Sequence, residues 1–425
     1  MIKIDKSEIT PFGGIHLIHE QVVAKKIPHF INTYLGNRRH NAEYRYSDLI
    51  LNMCYTTFCG GDCAEDINYV KNTFQHLKGM KTASPDTLLA MQKELSTDAE
   101  EITSESGTVN KININDRLND LLMKTTVHLG VLKRERTDYC LDFDHQFIPT
   151  EKYDTTYSYK KERGYFPGVA SISNTPVYVE NRNGNCQVKF NQMDTFKRVF
   201  GMLENNGIKP ARCRMDCGSY LKDVCDYMEE KGVKFFIRAE QSEQLLFESS
   251  TSDGWKKETI GISTYEVCSI EHCFGKHTHR VVAYRWPNKT GQKDIITDDA
   301  NNYLFIITND RKESEKSVIE FYNDRGNSER LFDIQNNDFN WKKMPFSFLE
   351  LNTVYLILMA ICHVIYQWLI QTFSKGCNFL QPHYRLKKFI FRLVCIAGKV
   401  IRTGRRQVVK LFTPLDIPTT VENSS

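Results

Sequence analysis

The order of strand-like and helix-like segments between residues 138 and 238 constrains the fold of this chain most strongly. Residues 138–144 alternate acidic and apolar side chains, which is the period of a strand with one buried face. The later segments read as strand, strand, helix, strand, helix and strand, over residues 169–172, 176–180, 194–205, 212–216, 220–231 and 234–238. This order predicts an α/β core in which a mixed sheet is flanked by helices.

Three strands, a helix, a strand, a helix and a strand is also the order of a ribonuclease-H-like core. At 425 residues the chain exceeds what one hydrophobic core usually supports, so several domains are expected. The polar, acidic residues 97–112 indicate a linker. We predict a helical region at 1–96, a linker and helix at 97–136, the core at 137–239 and 301–373, a β-rich insertion at 240–300 and a basic region at 374–425.

The carboxyl-terminal region carries charge of one sign. No acidic residue lies between Glu350 and Asp416, although the net charge of the whole chain is only +4. The basic residues of this segment are Lys375, Arg385, Lys387, Lys388, Arg392, Lys399, Arg402, Arg405, Arg406 and Lys410. Such a segment suits a polyanion, so we predict that it binds nucleic acid, with Arg402, Arg405 and Arg406 among the contacts. A solvated basic face is the alternative interpretation.

Residues 353–373 form an apolar stretch that is long enough to span a bilayer. The stretch also contains His363, Gln367 and Gln371, and the sequence has no second segment of this kind. A buried helix in a large domain has the same composition, so we expect a core helix and no membrane. The odd number of cysteines, 13, and an amino terminus without the layout of a signal peptide favour a cytoplasmic location.

Acidic residues stand at the ends of the predicted core segments. Asp142 and Asp144 lie on the polar face of the first strand, Asp216 ends a later strand, and Glu329 lies on a predicted helix. Acids gathered around one cleft bind hard cations such as Mg²⁺, and two such ions can catalyse phosphodiester transfer. Each acid could equally be a solvated side chain, and spacing alone leaves this open.

The stretch 317–336 is predicted to be one helix with Tyr322, Arg325 and Glu329 on a single face. The run Tyr322-Asn-Asp-Arg325-Gly-Asn-Ser-Glu329 resembles the Tyr-x-x-Arg-x-x-x-Glu signature of a large branch of insertion-sequence DDE transposases. Four other runs resemble a subgroup common in Bacteroides-type bacteria: Asp142-Phe-Asp-His, Tyr159-Lys-Lys-Glu-Arg-Gly-Tyr-Phe-Pro-Gly168, Val179-Glu-Asn-Arg-Asn-Gly-Asn185 and Asn337-Asp-Phe-Asn-Trp-Lys-Lys-Met-Pro-Phe-Ser347. The resemblance extends from about Ile9 to Phe373.

The resemblance implies an enzyme that cleaves the ends of its own element and joins them to target DNA. Asp144, Asp216 and Glu329 would be the catalytic metal ligands, and Tyr322 and Arg325 would contact DNA phosphates. Two Mg²⁺ ions per active site, replaceable by Mn²⁺, are implied. So are a helical amino-terminal DNA-binding region, a homodimer on double-stranded DNA and a nucleoid-associated location in the cytoplasm.

The chain departs from the family pattern at one position. The signature usually continues to a lysine seven residues after the glutamate, where this chain has Asn336. The alternatives are therefore a catalytically impaired DNA-binding relative and a nuclease of the same fold that cuts without joining. Between the two neighbouring acids, the family pattern favours Asp144 over Asp142 as the first ligand, and Asp142 stays the alternative.

Overall fold

The computed structural model describes residues 2, 9–104, 107–403 and 406–418. The helices are α1 (Gly14–Ala24), α2 (Ile27–Leu35), α3 (Tyr46–Phe58), α4 (Ile67–Phe74), α5 (Pro85–Glu94), α6 (Asp116–His128), α7 (Gln192–Asn205), α8 (Lys222–Glu230), α9 (Glu243–Ser250), α10 (Glu315–Asn323), α11 (Asn327–Asp338), α12 (Leu349–Gly376) and α13 (Leu386–Phe389).

The strands fall into one large sheet and two small ones. They are β1 (Ile9–Thr10), β2 (Glu100–Thr103), β3 (Val109–Asn113), β4 (Cys140–His145), β5 (Ile148–Pro149), β6 (Thr156–Tyr157), β7 (Arg163–Tyr165), β8 (Gly168–Ile172), β9 (Thr175–Arg182), β10 (Arg212–Met215), β11 (Lys234–Ala239), β12 (Lys256–Ile260), β13 (Ser263–Phe274), β14 (His277–Pro287), β15 (Asn301–Thr308), β16 (Ala397–Thr403) and β17 (Arg406–Phe412).

The large sheet runs in the order β12-β13-β14-β15-β11-β10-β4-β8-β9-β3-β2. Its middle is the predicted core, in which β8 and β9 are antiparallel neighbours of β4, and β10 and β11 are parallel to β4. Helices α7 and α8 separate the parallel strands in sequence, as a parallel connection requires. The expected ribonuclease-H-like α/β fold, a mixed sheet flanked by helices, is confirmed.

Helices bury both the apolar face of β4 and the long apolar stretch. Phe196 of α7 and Val224 of α8 share one core cluster with Leu141 and Phe143 of β4. Helix α12 packs against α6 and β9, and 94% of its most apolar window is buried inside the protein. It is the one helix in the described ranges that is long and apolar enough to cross a membrane. Burial of each large apolar side chain contributes roughly 1.5–3 kcal/mol, so α12 is a core helix, as expected.

The amino-terminal region is helical, as expected, and shares a core with α12. Helix α5 begins at the capped start that the sequence predicts. The Ser84 side chain accepts a hydrogen bond from the Thr87 amide, and Pro85 is the first residue of the helix. Helices α3 and α5 contact α12. The chain termini meet in a small sheet in which β16 pairs with both β1 and β17.

The segment predicted to be a linker, 97–112, contains a β-hairpin instead. Strands β2 and β3 pair with each other and extend the large sheet beyond β9. Asn110 and Asn113 are buried polar residues. The Asn113 amide nitrogen donates to the backbone carbonyls of Thr97 at 2.9 Å and Asp98 at 3.0 Å. The polar composition predicted that this segment is exposed. Its burial could not be predicted because a sequence does not show which polar side chains form hydrogen bonds inside the protein.

The region predicted as a β-rich insertion continues the same sheet. Strands β12, β13 and β14 form antiparallel pairs, and β14 pairs with β15 over eight residues. Strand β15 in turn pairs with β11 of the core. The boundaries of the individual domains remain predictions, but the backbone hydrogen bonds run without a break from the core strands into this region.

Candidate active site at the ends of β4 and β10

Two aspartates lie at the carboxyl ends of adjacent parallel strands. Asp144 is the penultimate residue of β4, and Asp216 follows β10 directly. Because Asp142 pairs with Arg214 and Phe143 with Met215, the same register brings Asp144 and Asp216 side by side. Neighbouring strands lie about 4.8 Å apart, so the two carboxyl groups share one edge of the sheet.

The electrostatics of Asp216 reflect this proximity. Burial, followed by the negative charge of Asp144, raises the pKa of Asp216 to about 6. The Arg325 charge and the backbone amides of Gly218 and Ser219 oppose this rise. The Gly218 amide donates a 3.0 Å hydrogen bond to Asp216 Oδ1. A pair of partly buried carboxyl groups at one edge of a sheet is a site that favours a cation.

Arg325 bridges from the helical segment to the first aspartate. Its Nη1 donates to Asp144 Oδ2 at 2.8 Å. Its guanidinium also lies 5.8 Å from the centre of the Tyr322 ring. Tyr322 is only 7% exposed and belongs to the core formed with β15 and α10. The structure thus brings Asp144, Asp216, Arg325 and Tyr322 together, with Tyr322 beneath the guanidinium rather than at the surface.

The stretch 317–336 is helical, as predicted, but it is not one regular α-helix. Helix α10 ends at Asn323, a 3-10 turn spans Asp324–Gly326, and α11 begins at Asn327. Asn, Asp and Gly are poor residues for a helix interior, and four of them stand together here. Because the 3-10 turn has fewer residues per turn than an α-helix, the α-helical spacing of Tyr322, Arg325 and Glu329 does not by itself place them on one face.

Glu329 lies in the first turn of α11, and its side chain is exposed. Helix α11 packs against β4, the strand that carries Asp144. The ligand atoms of Glu329, Asp144 and Asp216 do not all lie within 4.8 Å of one another in the described structure. Glu329 therefore lies on a helix that contacts β4, and the three acids do not form a closed cluster among the described residues.

Asp142 has a different environment from Asp144. Arg214 donates to both Asp142 carboxylate oxygens, at 2.7 and 2.9 Å, and both side chains are nearly buried. Arg214 also donates to the backbone carbonyl of Phe321 at 2.9 Å. Asp142 thereby links β4 and β10 to helix α10. Arg214 was not among the predicted site residues, although a basic residue on a strand next to an acid-bearing strand was the available signal.

The basic carboxyl-terminal region is only partly described. Residue Arg405 and the side chains of Arg402 and Arg406 lie outside the described residues. Arg385 forms ion pairs with Asp333 and with Asp338 of α11. The charge of Arg385 is therefore compensated within the protein, although no acidic residue lies near it along the segment.

Replacing Asp216 with asparagine is expected to stabilise the protein in EDTA. The aspartate pKa is about 3.9 in an unfolded chain and about 6 in the folded protein. Ionisation between these values costs folding free energy, so the cost is complete above pH 6 and absent below about pH 4. Urea unfolding at pH 7.5 should show Asp216→Asn more stable by about 1–3 kcal/mol.

The gain from Asp216→Asn should disappear near pH 4, and Asp253→Asn, at an exposed loop position, should change stability little at either pH. If Asp216→Asn is no more stable than the wild type at pH 7.5, then ionisation of Asp216 does not cost folding free energy.

Comparison with known proteins places these observations in a family. Residues 2–419 match the family model described as transposase DDE domain group 1. A cryo-EM structure of the piggyBac transposase synaptic complex with hairpin DNA is remotely similar, with a TM-score of 0.43, 10% identity, and coverage of 89% of this chain and 78% of that chain. No curated protein sequence matches the chain. Since the family model covers nearly the whole sequence, the chain belongs to the family of transposases with a DDE domain of group 1.

Proposed function

We propose that this protein is the transposase of a bacterial insertion sequence of the Bacteroides-type subgroup, and that it cleaves the ends of the element and joins them to target DNA. The observation that carries the proposal is the pair of carboxyl groups, Asp144 and Asp216, at the ends of two parallel core strands. Family membership supplies the reaction class. The pair supplies a cation site at the sheet edge where such a reaction would occur.

Asp144, Asp216 and Glu329 are the proposed metal ligands. Their oxygen donors suit Mg²⁺, with Mn²⁺ as a substitute. The raised pKa of Asp216 fits this role, because burial beside a second carboxylate creates a demand for positive charge. Two bound ions would supply activation of the attacking oxygen and stabilisation of the leaving oxygen. The 3-10 turn before α11 is the segment through which Glu329 would approach the aspartates.

Arg325 is proposed to exchange partners when DNA binds. In the structure its guanidinium neutralises Asp144 at 2.8 Å. A cation held by Asp144 would replace that charge and release Arg325 to contact a DNA phosphate, for which guanidinium geometry is well suited. Tyr322, which is buried beneath Arg325, would orient the guanidinium. This assigns to Tyr322 a supporting contact and not a surface one.

Double-stranded DNA is the proposed partner, as terminal repeats and as target, and a homodimer is the proposed assembly on it. The helical amino-terminal region is the proposed end-binding part. The proposed location is the cytoplasm, in association with the nucleoid.

The carboxyl-terminal arginines are proposed to bind DNA phosphates. Each phosphate contact contributes a slope of roughly −0.9 to the dependence of log affinity on log salt. The triple variant Arg402→Gln, Arg405→Gln, Arg406→Gln should therefore flatten the slope by up to about 3. Binding to an end duplex is measured by fluorescence anisotropy from low to high salt. An unchanged slope would show that this segment faces solvent or protein.

A control triple variant removes the same charge elsewhere. It combines the exposed residues of the β13–β14 turn and the following loop, as Lys276→Gln, Lys289→Gln and Lys293→Gln. It should leave the slope within about one unit of the wild-type value, the change expected from a single phosphate contact.

A catalytically impaired DNA-binding relative is the second candidate, and Asn336 favours it. Asn336 is 8% exposed on α11, so the position at which relatives carry a lysine faces the protein interior here. A nuclease that cuts without joining is the third. A cleavage assay separates the first two candidates. Duplexes from the DNA that flanks the coding gene are incubated with the protein in Mg²⁺, in Mn²⁺ and in EDTA.

The transposase proposal expects cuts at one position near each end in either metal and none in EDTA. Specific end binding without any cut in Mg²⁺ or Mn²⁺ would support the impaired relative instead.

A further inference from the structure

A buried histidine without a regular hydrogen bond lies near the start of β14. His279 is 1% exposed, and neither of its ring nitrogens forms a hydrogen bond of normal geometry with a described residue, although the Phe274 carbonyl is close to the ring. His272, directly opposite on β13, shows the usual arrangement, because its Nδ1 lies 2.8 Å from Glu248 Oε2. Nearly all buried polar groups are paired, so the ring of His279 requires a specific cause, and a metal ion is one.

A carboxylate stands where a second ligand of such an ion would be. Glu229 Oε1, near the end of α8, lies 3.3 Å from His279 Nδ1. Two ligand atoms bound to one tetrahedral Zn²⁺ ion are separated by about 3.3–3.4 Å, since each bond is about 2.0–2.1 Å long. The other oxygen of Glu229 accepts a hydrogen bond from the Asn309 amide at 3.2 Å. A contact of this kind fixes the direction of a ligating carboxylate, and it leaves Oε1 for the ion.

A second histidine stands beside the first. His277 and His279 are two residues apart on β14, so their side chains lie on the same face of the strand. Their ring centres are 6.0 Å apart, whereas two imidazoles on one tetrahedral ion have ring centres about 5 Å apart. The ligand atoms of His277, His279 and Glu229 do not all lie within 4.8 Å of one another in the described structure. His277 is exposed, so rotation about its side-chain bonds can close this gap. We call these three residues the hairpin site.

The turn between β13 and β14 is fixed on the helix that carries Glu229. The Lys276 amide donates to Asp226 Oδ1 of α8 at 2.9 Å. Gly275 has a φ of +73°, a left-handed conformation that glycine adopts without strain. The backbone of the turn therefore approaches α8 closely, and His277 at the start of β14 is held near Glu229.

A second group of potential metal ligands in the described part of the chain is already engaged within the protein. Asp62, Cys63 and Asp66 have ligand atoms within 4.8 Å of one another. Asp62, however, forms an ion pair with Lys343. Asp66 Oδ2 accepts the backbone amides of Asp62 and Cys63 at 2.8 and 3.3 Å. These acids stabilise a turn at the start of a helix, in contrast to the unpaired ring of His279.

We propose that the hairpin site binds one Zn²⁺-type ion through His277, His279 and Glu229, with water as the fourth ligand. Two imidazoles, a carboxylate and a water are a known tetrahedral ligand set for Zn²⁺. The ion cross-links the β13–β14 hairpin to α8 of the core. The His279 ring packs against Phe235 at the amino-terminal end of β11, whereas Asp216 follows the carboxyl-terminal end of the parallel strand β10. The hairpin site is therefore separate from the aspartate pair and does not depend on the proposed function.

The test measures Zn²⁺ binding to the full chain, purified without an affinity tag. Equilibrium dialysis against Zn²⁺, with excess Mg²⁺ to compete at sites made only of carboxylates, gives the affinity and the number of bound ions. The variants are His277→Ala and Glu229→Gln, whose side chains are not fully buried, and urea unfolding in EDTA checks that both are folded. The matched controls are His29→Ala, an exposed histidine on α2, and Glu230→Gln, an exposed neighbour of Glu229 on α8.

The wild type and both controls should bind one Zn²⁺ ion that His277→Ala and Glu229→Gln bind at least about 100-fold more weakly, because loss of a mere supporting contact already costs about 10–100-fold. Zn²⁺ should also slow hydrogen exchange in residues 272–280 of the wild type but not of His277→Ala, as a cross-link requires. The proposal is overturned if the wild type binds no Zn²⁺, if the two variants bind it within about two-fold of the wild type, or if the controls lose it equally.

Discussion

Asp144→Asn and Asp216→Asn are each expected to reduce cleavage of element ends by at least about 10³-fold. Each change removes one oxygen ligand from the proposed metal site, and metal ions supply several kcal/mol of transition-state stabilisation in such reactions. End binding should remain within about two-fold, because DNA contacts made elsewhere on the protein supply most of the affinity. Labelled end duplexes in Mg²⁺ give the cleavage rate, and anisotropy in Ca²⁺ gives the affinity.

The two substitutions leave the local hydrogen bonds largely intact, since an asparagine oxygen can still accept from the Gly218 amide as Asp216 Oδ1 does. Asp253→Asn, at an exposed loop position, is the control and should cleave at the wild-type rate. Cleavage by Asp216→Asn at a rate near that of this control would remove Asp216 from the catalytic site.

Asp142→Asn is expected to act mainly on stability. Arg214 is nearly buried and bonds both Asp142 oxygens. Burial raises the pKa of Asp142, as it does for Asp216, but only Asp142 is bonded through both oxygens by a nearly buried arginine. Loss of the carboxylate therefore leaves a buried guanidinium without its counter-charge, which costs about 3–5 kcal/mol. Urea unfolding should therefore show Asp142→Asn far less stable than Asp144→Asn, whose partner Arg325 lies at a more open position. Under conditions where it is folded, Asp142→Asn should keep a reduced but measurable cleavage rate.

The double variant Asp142→Asn, Arg214→Met tests the cause of this instability. Removing the unpaired charge should restore part of the lost free energy of unfolding. If Asp142→Asn is instead as stable as the wild type and loses all cleavage, Asp142 is the first metal ligand and the assignment of Asp144 is wrong.

The sequence sufficed where periodicity and burial agree. Residues 138–144 alternate because one face of β4 packs on α7 and α8, and the long apolar stretch is buried as α12. Prediction from the sequence failed where polar side chains are buried or where turn-forming residues interrupt a helix. Asn113 donates hydrogen bonds to backbone carbonyls inside the protein. Because this burial is not visible in the sequence, the polar hairpin was predicted to be a linker. The cluster of Asn, Asp and Gly before Glu329 breaks a helix that the spacing of Tyr322 and Arg325 suggested was continuous.

The acids of the candidate site could be predicted from the sequence, but their arrangement in space could not. The residues at strand ends were visible in the sequence, because an acid after an alternating run lies at the sheet edge. The partners of each acid were not. Arg214 lies on β10 and Arg325 lies in the 3-10 turn. Strand register determines that Arg214 bonds Asp142 and that Arg325 bonds Asp144.

We propose that this protein joins the DNA ends that it cleaves. To test this, duplexes that carry an element end with its flank are labelled at the 5′ terminus of the strand whose cleavage exposes the element's 3′-hydroxyl. They are incubated with the protein, Mg²⁺ and an unlabelled target plasmid, and the label that becomes covalently linked to the plasmid is followed. Plasmid-linked label is expected in the wild type, with element ends at the junctions, and none is expected in Asp216→Asn. Cut ends that accumulate without any linked label would contradict the claim and identify a nuclease.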